Sequence, residues 1–483
     1  MSDAAVTFAK ENGERFVEEL KALLRIPSVS TDPERAADVR RAAEFVAAEL
    51  RRIGMENVRL IETSTPETVL ASSSGPGQVV AAREGHPLVY ADHLHAVPAA
   101  DGKPVVTILL YGHYDVQPAE PLDEWKTPPF EPTERDGDLF ARGSADDKGQ
   151  VWMHVKALES QLATGGGRLP VNVRVIVEGE EEVGGEGIAA FVREHPDQLK
   201  ADVALVSDSE MFAPDLPTLC VGLRGMIYTE IEARGARTDL HSGMYGGAAP
   251  NPLVALAQII AKLKDDSGRI LIPGFYDKVA KPTAAELKAW KALPFDEEHY
   301  RETEVGSTEL TGEAGFTVLE RTWARPALDV HGIAGGFTGA GAKTVIPARA
   351  VAKVSMRLVP EMTTAESFAL FKAYVESICP KGITLEVRLI HSGDPTVVST
   401  DNAFVRAATE AMHTVFGNET VFIRSGGSIP IVGDFIRELG IPSVLMGFGL
   451  PDDNIHAPNE KFHLANFHRG IESIVRFMTS AGA

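Results

Sequence analysis

The run Val105-Val106-Thr107-Ile108-Leu109-Leu110-Tyr111-Gly112-His113-Tyr114-Asp115 opens with aliphatic side chains broken by one hydroxyl and closes on a histidine and an aspartate. An apolar run that does not alternate with polar residues is what a strand buried on both faces of a parallel sheet requires. The histidine and aspartate then fall where the chain leaves the sheet, at the carboxyl end where ligands collect in open α/β folds. Downstream, Val151, Val155, Leu158 and Leu162 mark one face of a helix, Val171, Val173, Val175 and Val177 a second strand, and Val203–Val206 a third. Upstream, Phe16, Leu20, Leu23 and Leu24 recur at helical spacing. Asp32 followed by Pro33 reads as the cap and first position of a helix running toward Leu50. Strand and helix alternate, which is the α/β pattern.

Between about Met226 and Ile390 the pattern changes. Ile227, Thr229 and Ile231 alternate with polar residues, and Leu253, Leu256, Ile260 and Leu263 form a helical stripe. An extended piece at Leu328–Val330 follows, then a strand with Val354, Met356 and Leu358 on one face. A helix with Phe368, Phe371, Val375 and Ile378 and a strand Thr384–Ile390 complete the order β-α-β-β-α-β of a ferredoxin-like sandwich. Afterwards Ser443–Met446 reads as a strand and Asn459–Met478 as a terminal helix. The expectation is a larger α/β domain made of residues 1–225 and 391–483, with residues 226–390 inserted as a smaller ferredoxin-like α+β domain. Residues 72–103 and 281–320 have weak periodicity and receive no elements.

Composition narrows the function. The 483 residues are 44% hydrophobic and 24% charged, with a formal charge of −21 and two cysteines. So negative a surface repels phosphate polymers and anionic lipid, which argues against nucleic acid and membrane as partners. Two distant thiols, Cys220 and Cys379, suggest a reducing compartment. Met1–Val6 shows no hydrophobic secretory region, and the apolar runs are too short to span a bilayer, so a cytoplasmic protein is expected.

Acidic and histidine residues cluster at the predicted strand ends: Gly112-His113-Tyr114-Asp115, Glu178-Gly179-Glu180-Glu181-Glu182, Ser207-Asp208, and Asp453-Asn454-Ile455-His456. Arg142-Gly143-Ser144-Ala145-Asp146-Asp147-Lys148-Gly149 precedes the Val151 helix. Each has an ordinary explanation alone: a hydrogen-bonded histidine, a solvated acidic turn, a helix cap. Together they crowd one sheet edge with carboxylates, which repel unless a cation holds them.

These motifs resemble the dinuclear metallopeptidases of the carnosinase and cytosolic non-specific dipeptidase group. Carboxypeptidase G, acetylornithine deacetylase and succinyl-diaminopimelate desuccinylase are more distant. The resemblance extends through Asp239-Leu240-His241-Ser242-Gly243, Gly341-Ala342-Lys343-Thr344-Val345-Ile346-Pro347 and Arg357-Leu358-Val359-Pro360 of the insertion, and through Arg424-Ser425-Gly426-Gly427-Ser428-Ile429-Pro430. It implies two divalent ions, zinc or alternatively manganese, bridged by Asp146. One would add His113 and Asp208, the other Glu182 and His456. Asp115 would orient His113, and Glu181 would be the general base acting on a bridging hydroxide. Because Glu178-Gly179 anchors the family pattern Glu-Gly-x-Glu-Glu, Glu180 takes the variable position, and Asp147 receives no ligand role. A cis peptide between Asp146 and Asp147 is implied as well.

The resemblance further implies that the larger domain is a phosphorylase/hydrolase-like α/β catalytic domain, and that the insertion serves as a lid and as the contact of a homodimer. His241 would then reach the partner subunit's site and stabilise the oxyanion. Arg357, on the polar side of its strand with Lys353 and Ser355, would clasp the substrate's terminal carboxylate with Ser428. Thr344 and His391 would also line the substrate site, His391 following the last insertion strand. His93 and His95 are given no metal role, and His463 and His468 are placed on the terminal helix facing solvent. The expected activity is hydrolysis of dipeptides or other small peptides with a free C-terminal carboxylate. An N-acyl-amino-acid deacylase, or a non-catalytic peptide-binding relative, are the rivals.

Overall fold

The computed structural model describes residues 2–65, 68–70, 78–80, 83–96 and 104–483, so the weakly patterned stretch 72–103 lies partly outside them. Strand β1 (Thr107–His113) begins two residues later than the sequence suggests and runs on through Gly112 to His113. It is followed by the helix α1 (Lys148–Thr164), strand β2 (Asn172–Glu178) and strand β3 (Val203–Val206). β2 and β3 flank β1 on opposite sides, both parallel to it, and the strand Ser443–Leu445 extends the parallel set beyond β3. They lie within a nine-stranded sheet among the described residues. The chain leaves β1, adds β2 on one side and β3 on the other, which opens a crevice at their carboxyl ends.

The unbroken apolar run is explained by two cores. Ile108 and Leu110 pack into one, built with the N-terminal helices, α1 and the terminal helix. Leu109 and Tyr111 pack into the other, with Ile188, Val192, Trp323 and Phe435. β3 divides likewise, Val203 and Leu205 to one side and Ala204 and Val206 to the other. Asp32 accepts a hydrogen bond from the Glu34 amide and caps a 3₁₀ turn, Pro33–Arg35, that leads into the helix Ala36–Ile53.

The second sheet contains β4 (Gly225–Arg234), β5 (Ala327–Gly335), β6 (Arg349–Leu358) and β7 (Thr384–Gly393), in the order β5-β6-β4-β7 with every pair antiparallel. The helices Pro252–Ile260 and Thr364–Ser377 close a core of Ile227, Ile231, Leu256, Val354, Met356 and Phe371 against one face. The β-α-β-β-α-β order is as read. The opposite face carries Tyr228, Ser355, Arg357 and His391, which share a side by register.

Several local expectations need correction. β7 runs past residue 390 to Gly393, so His391 lies inside the strand rather than after it, stacked on Tyr228 with ring centroids 5.0 Å apart. The terminal helix starts at Leu464; Lys461–His463 is instead a short strand paired with Asp138–Phe140. His463 consequently ends that strand and lies 2.8 Å from Asp138, while His468 is on the helix and exposed. Residues 281–320 are not featureless: Ala284–Lys291 and Val318–Trp323 are helices opened by Thr283/Glu286 and Thr317/Glu320 capping boxes. Trp290 and Trp323, edge to face, anchor this segment on the large sheet's core. No helix among the described residues is long and apolar enough to cross a membrane.

Candidate metal centre

The register between β1 and β2 sets His113 directly opposite Glu178, so two of the acidic clusters leave the sheet side by side. Gly112 is needed there: a Cβ would lie 2.4 Å from Val151 Cγ2 and 2.6 Å from Asp147 Oδ2. The missing side chain lets α1 begin directly over β1 and brings Asp146, two residues before the helix start, against His113. The Asp146–Asp147 peptide is cis, as implied by the resemblance. Asp147 is buried and accepts a hydrogen bond from the His113 amide at 3.1 Å.

The loop carrying Asp146 hangs from one residue, Glu460, that no motif or period singles out. The buried Glu460 carboxylate accepts from Gly143 N at 2.9 Å, Ala145 N at 2.9 Å, Asp146 N at 3.1 Å and Arg142 Nη1 at 2.8 Å. Gly143 adopts φ +83°, a conformation that favours glycine, as the chain bends around this carboxylate.

Two sets of donor atoms converge, each within 4.8 Å: His113, Asp146 and Asp208 in one, and Asp146, Glu182 and His456 in the other. Asp146 belongs to both, one oxygen 3.0 Å from His113 Nε2 and the other 2.9 Å from His456 Nε2. His113 Nδ1 faces Asp115 Oδ1 at 3.3 Å, and Asp115 also accepts from the Glu182 amide, at 3.2 Å. Gln117 Nε2 donates to Glu182 at 2.6 Å.

Burial, reinforced by Asp146, pushes Asp208 up to about 7. Burial likewise raises Glu182, and raises Glu181 well above the carboxylate range, with Asp208, Glu182 and Asp146 adding to it. At Asp146 burial also works upward, but the contacts with His113 and His456 outweigh it and hold the group low. Asp146 and Glu182 raise His456 to about 10. Buried carboxylates forced toward the neutral form around shared imidazoles make a donor set that divalent cations would satisfy. A third acidic group, Glu19, Glu49 and Glu159, already surrounds the ammonium of Lys156 and needs no metal.

The remaining expected residues divide into three places. Glu181 sits among the donors without belonging to either set, whereas Glu180 turns away, its carboxylate near Thr63 and the start of the helix Glu186–Glu194. Arg357 Nη1 donates to Ser428 Oγ at 2.7 Å, joining the open face of the second sheet to the 424–428 loop of the large one. His391 lies on that same face, and burial with Arg357 nearby lowers its pKa. His241 and Thr344 are elsewhere: His241 pairs with Val345, the Ser242 amide donates to Thr344 O, and both residues are exposed on this paired segment. Among the described residues neither hydrogen-bonds to the metal cluster. His93 and His95 make local bonds to Gly167 and Glu56.

A switch-point crevice holding two carboxylate and imidazole sets that share one aspartate defines a metallohydrolase with room for a pair of cations. The chain belongs to peptidase family M20/M25/M40, whose sequence profile matches residues 109–480. It is 36% identical over 470 residues to the Cys-Gly metallodipeptidase DUG1 of Candida albicans, covering 95% of this chain and 93% of that one. To the human Beta-Ala-His dipeptidase it is 35% identical over 382 residues, covering 77% and 74%. The solved structure of the dipeptidase Dug1p from Saccharomyces cerevisiae superposes with a TM-score of 0.84 at 29% identity, covering 100% of this chain and 98% of that one. The enzyme is accordingly a metal-dependent hydrolase of peptide bonds, and the deacylase alternative is not favoured.

Proposed function

We propose that the enzyme cleaves dipeptides and other short peptides ending in a free carboxylate, with two zinc ions (manganese being the alternative) held by His113, Asp208 and Asp146 on one side and Glu182, His456 and Asp146 on the other. The observation that carries this reading is the sharing of Asp146 between two otherwise separate donor sets. When bound, the ions acidify water and polarise the scissile carbonyl. Glu181 takes the proton from the attacking water on its carboxylate and returns it to the leaving amine, a role suited to a carboxylate whose burial raises its pKa. Asp115 fixes the ring of His113, which supports the ligand tautomer. Arg357 and Ser428 receive the terminal carboxylate, with His391 as a wall of that pocket.

Residues 1–225 and 391–483 form the catalytic domain in this reading, and 226–390 a domain that dimerises and acts as a lid. Supporting a homodimer, β5 is an edge strand exposed over most of its length, beside the helix Pro252–Ile260. Met244, Tyr245, Val254, Ile333 and Phe337 leave apolar surface uncovered on the same unit. His241 and Thr344, remote in bonding from this chain's own cluster, then complete the partner's site. The enzyme works in the cytoplasm in this reading, with small peptides as its substrates.

Elemental analysis of the purified enzyme should find two ions per chain. A panel of dipeptides should be hydrolysed, and the matching N-acetyl amino acids should not. Turnover of the N-acetyl compounds alone would overturn the reading.

A further inference from the structure

A second arginine lies within electrostatic reach of Arg357. Arg224 lies between the strand Thr218–Leu223 and β4, where the chain crosses from one sheet to the other. Its amide donates to Gly427 O at 3.2 Å and its Nε to Gly426 O at 3.1 Å. Ser428 Oγ donates to the carbonyl of Arg224 while accepting from Arg357. Both arginines are therefore latched to the same 426–428 loop, one through its backbone and Nε, the other through Ser428.

Among the described residues no carboxylate pairs with either guanidinium. The acidic group that acts on both is Asp329, which is exposed and 3.8 Å from Lys264. Burial, and then the charge of Arg357, pulls Arg224 down to about 10. Two partly buried cations held together are costly, and among the described residues the exposed Asp329 acts on them without pairing to either. With Nε used by Gly426, the two terminal nitrogens of Arg224 remain for a forked contact.

We propose that Arg224 is a substrate-binding residue, and that the terminal carboxylate of the peptide is received between Arg224 and Arg357 with Ser428 setting their spacing. The inference rests on the dipeptidase reading above, and it adds a residue that decides between free and blocked C-termini. One carboxylate held by two guanidiniums is bound more tightly than by one. A C-terminal amide, carrying no charge, gains little from either.

The test compares alanyl-glycine with alanyl-glycinamide, using the metal-loaded enzyme, Arg224→Gln, Arg224→Lys and Arg357→Gln. Arg224→Gln should raise KM for alanyl-glycine about 10- to 100-fold with kcat within about threefold, and leave kcat/KM on the amide within about threefold. Arg224→Lys keeps the charge but not the fork, so it should recover part of that loss on the acid alone; it also carries the test if the glutamine variant does not fold. Equal losses on acid and amide in both variants would overturn the proposal and make Arg224 a support of the loop. Failure of the wild-type enzyme to cleave alanyl-glycine or any other dipeptide would instead bring down the dipeptidase reading itself, and this inference with it.

Discussion

Glu460 offers the sharpest test of how the metal loop is held. Its carboxylate is 1% exposed and is the common acceptor for three amides of one loop and one guanidinium, at 2.8–3.1 Å. Glu460→Ala removes all four acceptances at once and leaves the 1%-exposed Arg142 guanidinium without its carboxylate. Each orphaned buried amide costs about 1–3 kcal/mol when nothing replaces its partner. Water entering the vacated space recovers part of this, so we expect the loss typical of a broken buried ion pair, about 3–5 kcal/mol. In a chain of 483 residues that corresponds to a fall in Tm of roughly 3–5 °C. Because Asp146 N is one of the four donors, the loss should not stop at stability. Displacing a group that positions a metal ligand typically lowers metal affinity about 10- to 100-fold. The assay is thermal unfolding by circular dichroism with and without added zinc, alongside elemental analysis after dialysis against a weak chelator. Glu460→Gln, which keeps the shape and one acceptor oxygen, should fall between the wild type and Glu460→Ala. If Glu460→Ala keeps its Tm and its full metal content, the carboxylate is not what holds the loop.

Other expectations follow from the same geometry. Glu181→Gln should retain both metals by elemental analysis and lose kcat by about 10²–10⁴, whereas Glu180→Gln should stay active; the reverse pattern would shift the assignment by one residue. Asp146→Ala should lose metal, since no other carboxylate belongs to both donor sets, and full occupancy would refute the bridge. His241→Ala should cost about 10²–10³ in kcat. Mixed with inactive Glu181→Gln under conditions of subunit exchange, it should recover activity, because one site of each mixed dimer is then intact; a mixture that stays dead despite proven exchange would place His241 in its own chain's site.

The parts of the fold that could be read from sequence were those with one dominant period. β1 and β3 are legible because each feeds two cores, so both faces of the strand are apolar, and β2 because Val173, Val175 and Val177 alternate with Asn172, Arg174 and Glu178. The second sheet is legible for the opposite reason: Ile227, Ile231, Val354 and Met356 alternate with polar residues that face away from its helices. The 281–320 segment has little periodicity because its helices are short and each buries a single tryptophan, Trp290 or Trp323, with Val318 and Leu319 beside the latter. Its start signals were nonetheless present, in Thr283-Ala284-Ala285-Glu286 and Thr317-Val318-Leu319-Glu320. The ends of β1 and β7 were placed short because His113, His391, Ser392 and Gly393 have no strand-like side chains; backbone pairing with Glu178, Tyr228, Ile227 and Met226 carries the strands through them.

The site divides along the same line. Its candidate metal donors are legible because each lies at a strand end or within a motif, so local sequence and the donor sets coincide. Glu460 and Arg224 were not, and the reason is separation. Glu460 acts on amides more than 300 residues away, and Arg224 on a loop some 200 residues distant. Neither contact leaves a local period or spacing; each exists only once the large sheet has closed. In the proposed reading, residues of this kind set how firmly the donors are held and which peptide end is accepted, whereas the strand-end motifs set which reaction is possible. The chemistry of the enzyme is therefore written in short segments, and its affinity and selectivity in the packing between them.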